Sequence, residues 1–335
     1  MIKVALIGAG KMGISHLSIL GAHPDVTIAG VCDTSKMVTD VLTKYSGFRC
    51  FSDYLQMVEE VKPDAVFIAV PTKVHARFIK DMLDRNLHIF SEKPFCLTLS
   101  EGIPLVELAK QKKVVNQVGY HNKFIGTFRE VKKIIESGAL GELYNFIGES
   151  YGPVVVRKKQ ETWRSDPAEG GGCLMDYASH VVDLVNYLLA PIDEVFSSRL
   201  QCVFSNKVED AVYAMMKLNN GLNGMLSVDW SDDTHRKMTT SVTVSGTKGK
   251  IISDANELKV YFRENCPEGY TKGWNVKYVT DLTDEVDFYL RGEEYSAQID
   301  YFIRAIKGEV KNDINTFESA LMTDKALNLI RNKAN

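Results

Sequence analysis

Residues 169–183 read Glu-Gly-Gly-Gly-Cys-Leu-Met-Asp-Tyr-Ala-Ser-His-Val-Val-Asp, and this segment carries side chains suited to acid–base chemistry. Residues three to four apart share a face of a helix, so the spacing predicts that Asp176, His180 and Asp183 line up. A carboxylate beside an imidazole raises its basicity, and such a histidine is a natural proton acceptor for an alcohol that is being oxidised. We therefore predict catalytic roles for Asp176 and His180. The three glycines would let a substrate or cofactor approach the start of the helix.

Lys93 is a further candidate, because it follows a short apolar run and precedes a proline in Glu92-Lys93-Pro94. Its positive charge would stabilise an alkoxide as a hydride leaves the carbon. A cis bond between Lys93 and Pro94 would aim the side chain. Plainer interpretations stay open: Asp176 and His180 could form a surface pair, and Lys93 could be a solvated lysine.

The elements that would position these residues begin with a regular alternation of strands and helices. Apolar runs at 3–7, 26–31, 65–70, 88–91 and 114–120 are separated by helical patterns. This order predicts an α/β fold with a doubly wound parallel sheet of the Rossmann type. Right-handed crossovers place the carboxyl ends of all strands at one edge, where ligands bind.

A glycine-rich turn follows the first strand and opens a helix. Its sequence is Gly8-Ala9-Gly10-Lys11-Met12-Gly13, and Asp33 follows the second strand. In a dinucleotide site the first glycine permits the tight turn, the second lets the backbone approach a pyrophosphate, and the third lets the helix pack closely. Asp33 would bind the ribose hydroxyls and repel a 2′-phosphate, which favours NAD over NADP. A ligand-free turn is the alternative, and the P-loop pattern is absent.

Two more groups of residues carry both a functional and a structural interpretation. His75, after Pro71-Thr72, lies at the predicted binding edge, so a cofactor contact is favoured over a plain helix position. Trp163-Arg164 is either packing with a surface charge or a recognition pair for a polyhydroxylated or phosphorylated ligand. A zinc site of Cys173, Asp176 and His180 matches no standard spacing, and we predict no metal.

The second part of the chain is rich in strands. Residues 210–218 and 222–230 alternate around a turn, and the alternation continues from 237 to 262. Such a sheet has one face for a core and one face free, and a free, partly apolar face suggests a subunit interface.

Composition excludes several classes of protein. The chain has 335 residues, enough for two domains, and a net charge of −3 with no basic stripe for nucleic acid. We see no signal peptide and no run of about 18 apolar residues for a membrane span. Six scattered cysteines without a Cys-x-x-Cys pair favour a reducing cytoplasm.

Together these motifs resemble those of the Gfo/Idh/MocA family of nicotinamide-dependent oxidoreductases. The matching residues are Gly8-Ala-Gly10-Lys-Met-Gly13, Ala69-Val-Pro-Thr72 with His75, Glu92-Lys93-Pro94, Trp163-Arg164, and Gly170-Gly-Gly172 with Asp176, His180 and Asp183. The resemblance implies a Rossmann domain over 1–120. It also implies an α/β domain over 121–335 with a large open, mostly antiparallel sheet for substrate binding and oligomerisation, in a homodimer or homotetramer. The implied substrates are sugars, cyclic polyols or nucleotide sugars.

The resemblance also implies roles for individual residues. Lys93 and His180 would be the catalytic pair, with Asp176 orienting His180 or holding a substrate hydroxyl. The implied cofactor contacts are Gly8, Gly10, Lys11, Met12, Gly13, Asp33, Val70, Pro71, Thr72, His75, Glu92 and Lys93. The implied substrate contacts are Lys93, Tyr120, Asn122, Trp163, Arg164, Asp176 and His180. The stretch 120–124 reads Tyr-His-Asn-Lys-Phe where many members are arginine-rich, which is a departure from the family pattern.

These features favour an NAD(P)-dependent dehydrogenase that acts on a ring carbinol of a sugar or cyclic polyol. A nucleotide-sugar dehydrogenase or ketoreductase of polysaccharide or antibiotic-sugar assembly is the alternative enzyme. A non-catalytic NAD(H) sensor and a metal-dependent lyase remain as other classes.

Overall fold

Six short strands near the N-terminus form a parallel sheet with the order β3-β2-β1-β4-β5-β6. The strands are β1 Ile2–Ile7, β2 Val26–Cys32, β3 Cys50–Phe51, β4 Ala65–Ile68, β5 His88–Ser91 and β6 Asn116–Val118. From β1 the strands follow one another towards one edge of the sheet as far as β3, and from β4 they follow one another towards the other edge. Ligands of such sheets bind at the switch point between β1 and β4. The computed structural model describes residues 1–154, 162–264, 266–286 and 292–334.

Helices cover both faces of this sheet. They are α1 Lys11–Ala22, α2 Lys36–Ser46, α3 Tyr54–Val61, α4 His75–Asp84 and α5 Leu99–Lys112. Ala5 and Ile7 of β1 belong to one apolar cluster, whereas Val4 and Leu6 belong to another. The strand is therefore buried on both faces, which explains its uninterrupted apolar sequence and confirms the predicted Rossmann sheet.

The first compact unit comprises Met1–His121 together with Glu285–Leu321. The later segment carries helix α9, Glu293–Ile306. Phe302 of α9 packs edge-on against Phe67 and Phe90, with ring centroids 5.5 and 5.9 Å apart. The sequence prediction assigned this segment to the domain over 121–335. The structure instead packs it in the first unit, because the apolar face of α9 covers the aromatic side chains of β4 and β5.

The second compact unit comprises Asn122–Asp284 and Met322–Asn335. Its eight-stranded sheet has the order β14-β13-β12-β11-β7-β10-β9-β8, and only the β7–β10 pair is parallel among the described strands. The strands are β7 Leu143–Tyr151, β8 Ile192–Gln201, β9 Ala211–Leu218, β10 Asn223–Asp229, β11 Ser241–Gly246, β12 Gly249–Asp254, β13 Glu257–Phe262 and β14 Gly273–Tyr278. The predicted mostly antiparallel sheet is confirmed.

One face of this sheet packs on helices and the other is exposed. The helices are α6 Gly126–Glu136, α7 Ser179–Leu188 and α8 Val279–Leu282, and a further helix, α10 Phe317–Lys333, has its residues up to Leu321 in the first unit and the rest in the second. Phe128 of α6 and Leu184 of α7 share a core with Val244 and Val260 of the sheet. The exposed face carries large apolar side chains, among them Tyr213, Met215, Met225, Ile252, Trp274, Val276 and Tyr278.

None of the helices in the described part of the chain has the length and apolar character needed to cross a lipid bilayer.

Candidate active site

The glycine-rich turn of the first unit is shaped by close contacts within the chain. A Cβ on Gly8, whose φ is +91°, would lie 2.4 Å from the Ala69 carbonyl oxygen, and one on Gly13 would lie 1.9 Å from the Gly8 carbonyl oxygen. A Cβ on Gly10 would meet no atom within 4 Å. Gly8 and Gly13 are therefore required by the fold itself. The bare backbone at Gly10 instead faces open space at the start of α1, as a pyrophosphate site needs.

Asp33 is fixed beside this turn by backbone hydrogen bonds. Its Oδ2 accepts from the Ala9 N–H at 2.7 Å, and its Oδ1 accepts from the Ser35 N–H at 2.8 Å. A carboxylate oxygen has a second lone pair, so each oxygen can still accept a ribose hydroxyl. The turn and this carboxylate together fit a dinucleotide.

The Val70-Pro71-Thr72 segment leads from β4 through a short 3₁₀ turn into α4, which begins at His75. His75 is fully buried, with Nδ1 2.8 Å from the Pro94 carbonyl oxygen and Nε2 2.9 Å from the Val70 carbonyl oxygen. Burial lowers the pKa of His75, although both carbonyls oppose that change. The sequence favoured a cofactor contact for this ring, but the structure places it inside the unit.

Glu92 and Lys93 follow β5, and the Lys93–Pro94 bond is cis. Glu92 Oε1 lies 2.6 Å from His16 Nε2 on α1, and Glu92 Oε2 accepts from the Lys93 N–H at 3.2 Å. Burial alone would raise the pKa of Glu92, but His16 and the charge of Lys93 outweigh it and hold the pKa below its usual value. Sequence reasoning missed His16. A histidine on the otherwise apolar face of α1 was the available signal.

In the second unit, two of the three consecutive glycines pack closely against other parts of the chain. A Cβ on Gly171 would lie 2.4 Å from the Arg164 carbonyl oxygen, and one on Gly172 would lie 2.4 Å from Glu209 Oε1. That same carboxylate oxygen accepts from the Leu174 N–H at 2.9 Å. At Gly171 and Gly172, the space that the sequence was expected to leave for a ligand is therefore taken by Arg164 and Glu209.

Asp176 lies on a π-helical turn, Leu174–Ala178, that runs directly into α7. Its Oδ2 accepts from Arg164 Nε at 2.7 Å, and the Arg164 guanidinium lies 4.6 Å from the centre of the Trp163 ring. Asp176 and His180 are both buried. A π turn has a wider repeat than an α-helix, so the α-helical spacing used to align these residues does not hold through residue 178.

Asp183 forms a buried ion pair of its own. Its Oδ1 accepts from Lys123 Nζ at 2.8 Å and from Thr323 Oγ1 at 3.3 Å. Burial raises the pKa of Asp183, while Lys123 opposes the change. In the stretch where many family members are arginine-rich, this chain thus has Lys123, whose side chain is buried inside the second unit.

The two substrate contacts implied for residues 120 and 122 are both buried side chains. Tyr120 is in the first unit, where its carbonyl oxygen accepts from Asn315 Nδ2 at 2.5 Å. Asn122 is in the second unit, where its carbonyl oxygen accepts from the Ile125 N–H at 3.1 Å. Both of these hydrogen bonds join residues within one unit.

Within the described ranges, no group of three or more His, Cys, Asp and Glu side chains is arranged to hold a metal ion. Burial raises the pKa of Cys173 well above its usual value, which disfavours the thiolate that zinc needs.

The sequence matches two models of one protein family. The NAD-binding Rossmann domain of the GFO/IDH/MocA oxidoreductases matches residues 2–120, and their C-terminal domain matches residues 128–252. The chain belongs to the GFO/IDH/MocA family. The resemblance, the fold class and the assignment as a nicotinamide-dependent oxidoreductase are thereby confirmed.

Several GFO/IDH/MocA proteins match over nearly the whole chain. An uncharacterised oxidoreductase, YrbE of Bacillus subtilis, is 26% identical over 97% of this chain and 87% of its own length. Myo-inositol 2-dehydrogenase of Thermotoga maritima is 22% identical over 94% of this chain and 86% of its own length. The structure of levoglucosan dehydrogenase with NADH and levoglucosan superposes with a TM-score of 0.88 at 21% identity, covering 99% of this chain and 96% of that one. The GFO/IDH/MocA fold therefore extends through both units.

Proposed function

We propose that this protein interconverts a ring carbinol of a sugar or cyclic polyol and the corresponding ketone, with NAD(H) as the hydride carrier. The observation that carries the proposal is the contact between Glu92 and His16. It ties the segment bearing Lys93 to α1, the helix that begins at the glycine-rich turn. The contact thus holds the segment that carries the Lys93 cation beside the helix that follows the glycine-rich turn.

The cofactor preference follows from Asp33. Its carboxylate is held by the Ala9 and Ser35 N–H groups, so its negative charge cannot swing away from the ribose position. Ribose hydroxyls can donate to it, whereas a 2′-phosphate would be repelled. NAD is therefore the preferred cofactor. Gly10 and its neighbours would hold the pyrophosphate, and the segment from Val70 to Thr72 would line the same edge.

NAD⁺, when bound, accepts the hydride that leaves the carbinol carbon. In that direction His180 removes the hydroxyl proton at a ring nitrogen, and Lys93 stabilises the negative charge that develops on the oxygen. Asp176 orients His180 or binds a neighbouring hydroxyl. In reverse, His180 returns the proton to the oxygen. These roles need no metal.

The substrate class is supported by the Trp163–Arg164 pair. The guanidinium lies over the indole and donates to Asp176 through Nε, and the Arg164 side chain is 40% exposed. An aromatic face beside a cation with further N–H donors suits a polyhydroxylated ring. Inositol and levoglucosan, the compounds named for two relatives, have such rings.

The exposed apolar face of the eight-stranded sheet supports the expectation of an oligomer. We place a second copy of this chain on it, in a homodimer or homotetramer, because a two-fold axis pairs one apolar patch with itself. Met215→Glu should shift the mass measured by light scattering towards the monomer. The cysteines of the described residues form no disulfide, which supports a reducing cytoplasm.

The proposed reaction is tested by following NADH absorbance against free sugars, inositols, sugar phosphates and nucleotide sugars. We expect turnover with NAD on a free sugar or inositol. Lys93→Ala and His180→Ala should each lower kcat on that substrate by about 10²–10⁴-fold. His235→Ala, at a partly exposed histidine of the second unit, is the matched control. Full turnover in both variants would overturn these roles, and competition by UDP or dTDP would favour the nucleotide-sugar alternative.

A further inference from the structure

The backbone around Lys93 is held from two sides by buried histidines. On the amino side, the Lys93 N–H donates to Glu92 Oε2, and the other oxygen of that carboxylate contacts His16 Nε2. On the carboxyl side, the carbonyl oxygen of Pro94 contacts His75 Nδ1. The side chain of Lys93 thus extends from a segment fixed at both neighbouring residues.

His75 connects two loops at the carboxyl edge of the parallel sheet. Nδ1 reaches the loop after β5 at Pro94, and Nε2 reaches the loop after β4 at Val70, at 2.8 and 2.9 Å. The ring is fully buried, so it contacts these loops and not solvent. A neutral imidazole has one N–H, so the ring donates to one of these two carbonyl oxygens and packs its other nitrogen against the second.

His16 is fixed in a comparable way. Its ring is 1% exposed and packs edge-on against Phe90 of β5, with centroids 5.1 Å apart. The Glu92 carboxylate that it contacts packs against the backbone of Gly119, where a Cβ would lie 3.2 Å from that group. On the Glu92 side of Lys93, the carboxylate is thus in contact with His16 and packed beside Gly119.

We propose that His75 and His16 are positioning residues for Lys93, acting through Pro94 and Glu92 and not through contact with the cofactor. This inference rests on the proposed function, in which Lys93 stabilises charge on the substrate oxygen. A displacement of about 1 Å at a catalytic group can lower a rate by about 10²-fold. Releasing the Pro94 carbonyl would allow such a displacement, while the glycine-rich turn and Asp33 keep their own contacts.

The test compares His75→Phe, which replaces the imidazole by an apolar ring without nitrogen, with His75→Asn, which keeps a hydrogen-bonding amide. His23→Phe is the matched control, since His23 is a buried histidine of the same unit that pairs with Asp300. We expect His75→Phe to lower kcat by about 10–100-fold, with a smaller change in the dissociation constant of NADH. His75→Asn should recover part of the loss, and His23→Phe should show none.

Dependence on Lys93 is read from a double variant. In a Lys93→Ala background, His75→Phe should lower kcat no further, because the group that it positions is gone. An additive loss, or a loss of NADH affinity equal to the loss of kcat, overturns the inference. If His75→Phe does not fold, His75→Asn and His16→Asn carry the same comparison.

A second readout needs no substrate. Acetic anhydride labelling followed by mass spectrometry gives the acylation rate of Lys93 relative to that of Lys113 in the same sample. His75→Phe or His75→Asn should change this ratio, and His23→Phe should not. An unchanged ratio overturns the inference even if the proposed function holds. Full turnover in Lys93→Ala overturns the proposed function, while the labelling ratio still decides whether His75 positions Lys93.

Discussion

Asp33 in the first unit and Asp176 in the second are both carboxylates assigned to ligand contacts, and they are held in different ways. Asp33 accepts hydrogen bonds from two backbone N–H groups, those of Ala9 and Ser35. Asp176 accepts from the side chain of Arg164, which is itself 40% exposed and stacked on Trp163. Backbone N–H groups thus hold the Asp33 carboxylate, whereas a side chain that a substitution can replace holds the Asp176 carboxylate.

The two carboxylates therefore differ in how substitutions elsewhere in the chain can move them. A carboxylate held by the backbone keeps its position as long as the chain path is kept, so the site stays suited to one ligand. A carboxylate held by a side chain changes when that side chain is replaced. We infer that substrate choice in this protein can shift by substitutions around Arg164, while cofactor choice depends on Asp33 itself.

We expect the largest effect from a substitution in the glycine-rich turn, which tests whether the backbone conformation there builds the site in the first unit. Gly13→Ala should prevent the first unit from folding, because its Cβ would lie 1.9 Å from the Gly8 carbonyl oxygen. Circular dichroism and thermal unfolding measure this. Gly10→Ala, whose Cβ meets no atom within 4 Å, should fold normally and bind NADH more weakly. A folded Gly13→Ala protein with normal NADH affinity would contradict the expectation.

We expect the next largest effect, on the free energy of unfolding, from breaking a buried ion pair of the second unit. Lys123→Met should destabilise the protein by roughly 3–5 kcal/mol, because it leaves the Asp183 carboxylate buried without its cation. Urea unfolding at neutral pH gives the value. The double variant Lys123→Met with Asp183→Leu should recover much of the loss. A single variant as stable as the parent would mean that the pair is not buried as described.

A smaller effect separates cofactor choice from substrate choice. Asp33→Asn should raise the affinity for NADPH relative to NADH by about 10–100-fold, the size expected for losing hydrogen bonds to a charged group and its repulsion of a phosphate. Fluorescence titration measures both dissociation constants. Arg164→Ala should leave that ratio unchanged and raise KM for the sugar substrate. A change of the ratio in Arg164→Ala would contradict the assignment of the two sites.

The smallest effect concerns Glu92, a first-unit carboxylate held partly by a side chain. Its pKa is lowered in the folded state from an ordinary 4.5, because His16 and Lys93 outweigh the effect of burial. Its contribution to stability is therefore present above pH 4.5 and is lost as the pH falls through the lowered value. The stability gap between the parent and Glu92→Gln, from urea unfolding at several pH values, should shrink on acidification. A gap that does not change with pH would contradict this.

Much of the first unit can be read from the sequence, since its strands are continuous apolar runs and its glycines stand where the backbone must turn. The π turn that carries Asp176 could not be predicted, because no residue type marks the wider repeat. The place of α9 was also missed, since only long-range packing of Phe302 on Phe67 and Phe90 decides it. Glu209 was missed because its partners, Gly172 and Leu174, lie far away in the sequence.

The discontinuity of the first unit bears on how the protein is made. During synthesis, residues 1–121 emerge from the ribosome early. The segment Glu285–Leu321, which completes this unit, emerges only after most of the second unit. Until then Phe67 and Phe90 lack the cover of Phe302, so a nascent chain exposes an aromatic patch during most of its elongation. Helix α9 is therefore needed during synthesis to complete the first unit. A chain that terminates before α9 would leave the nucleotide-binding unit accessible to chaperones and proteases.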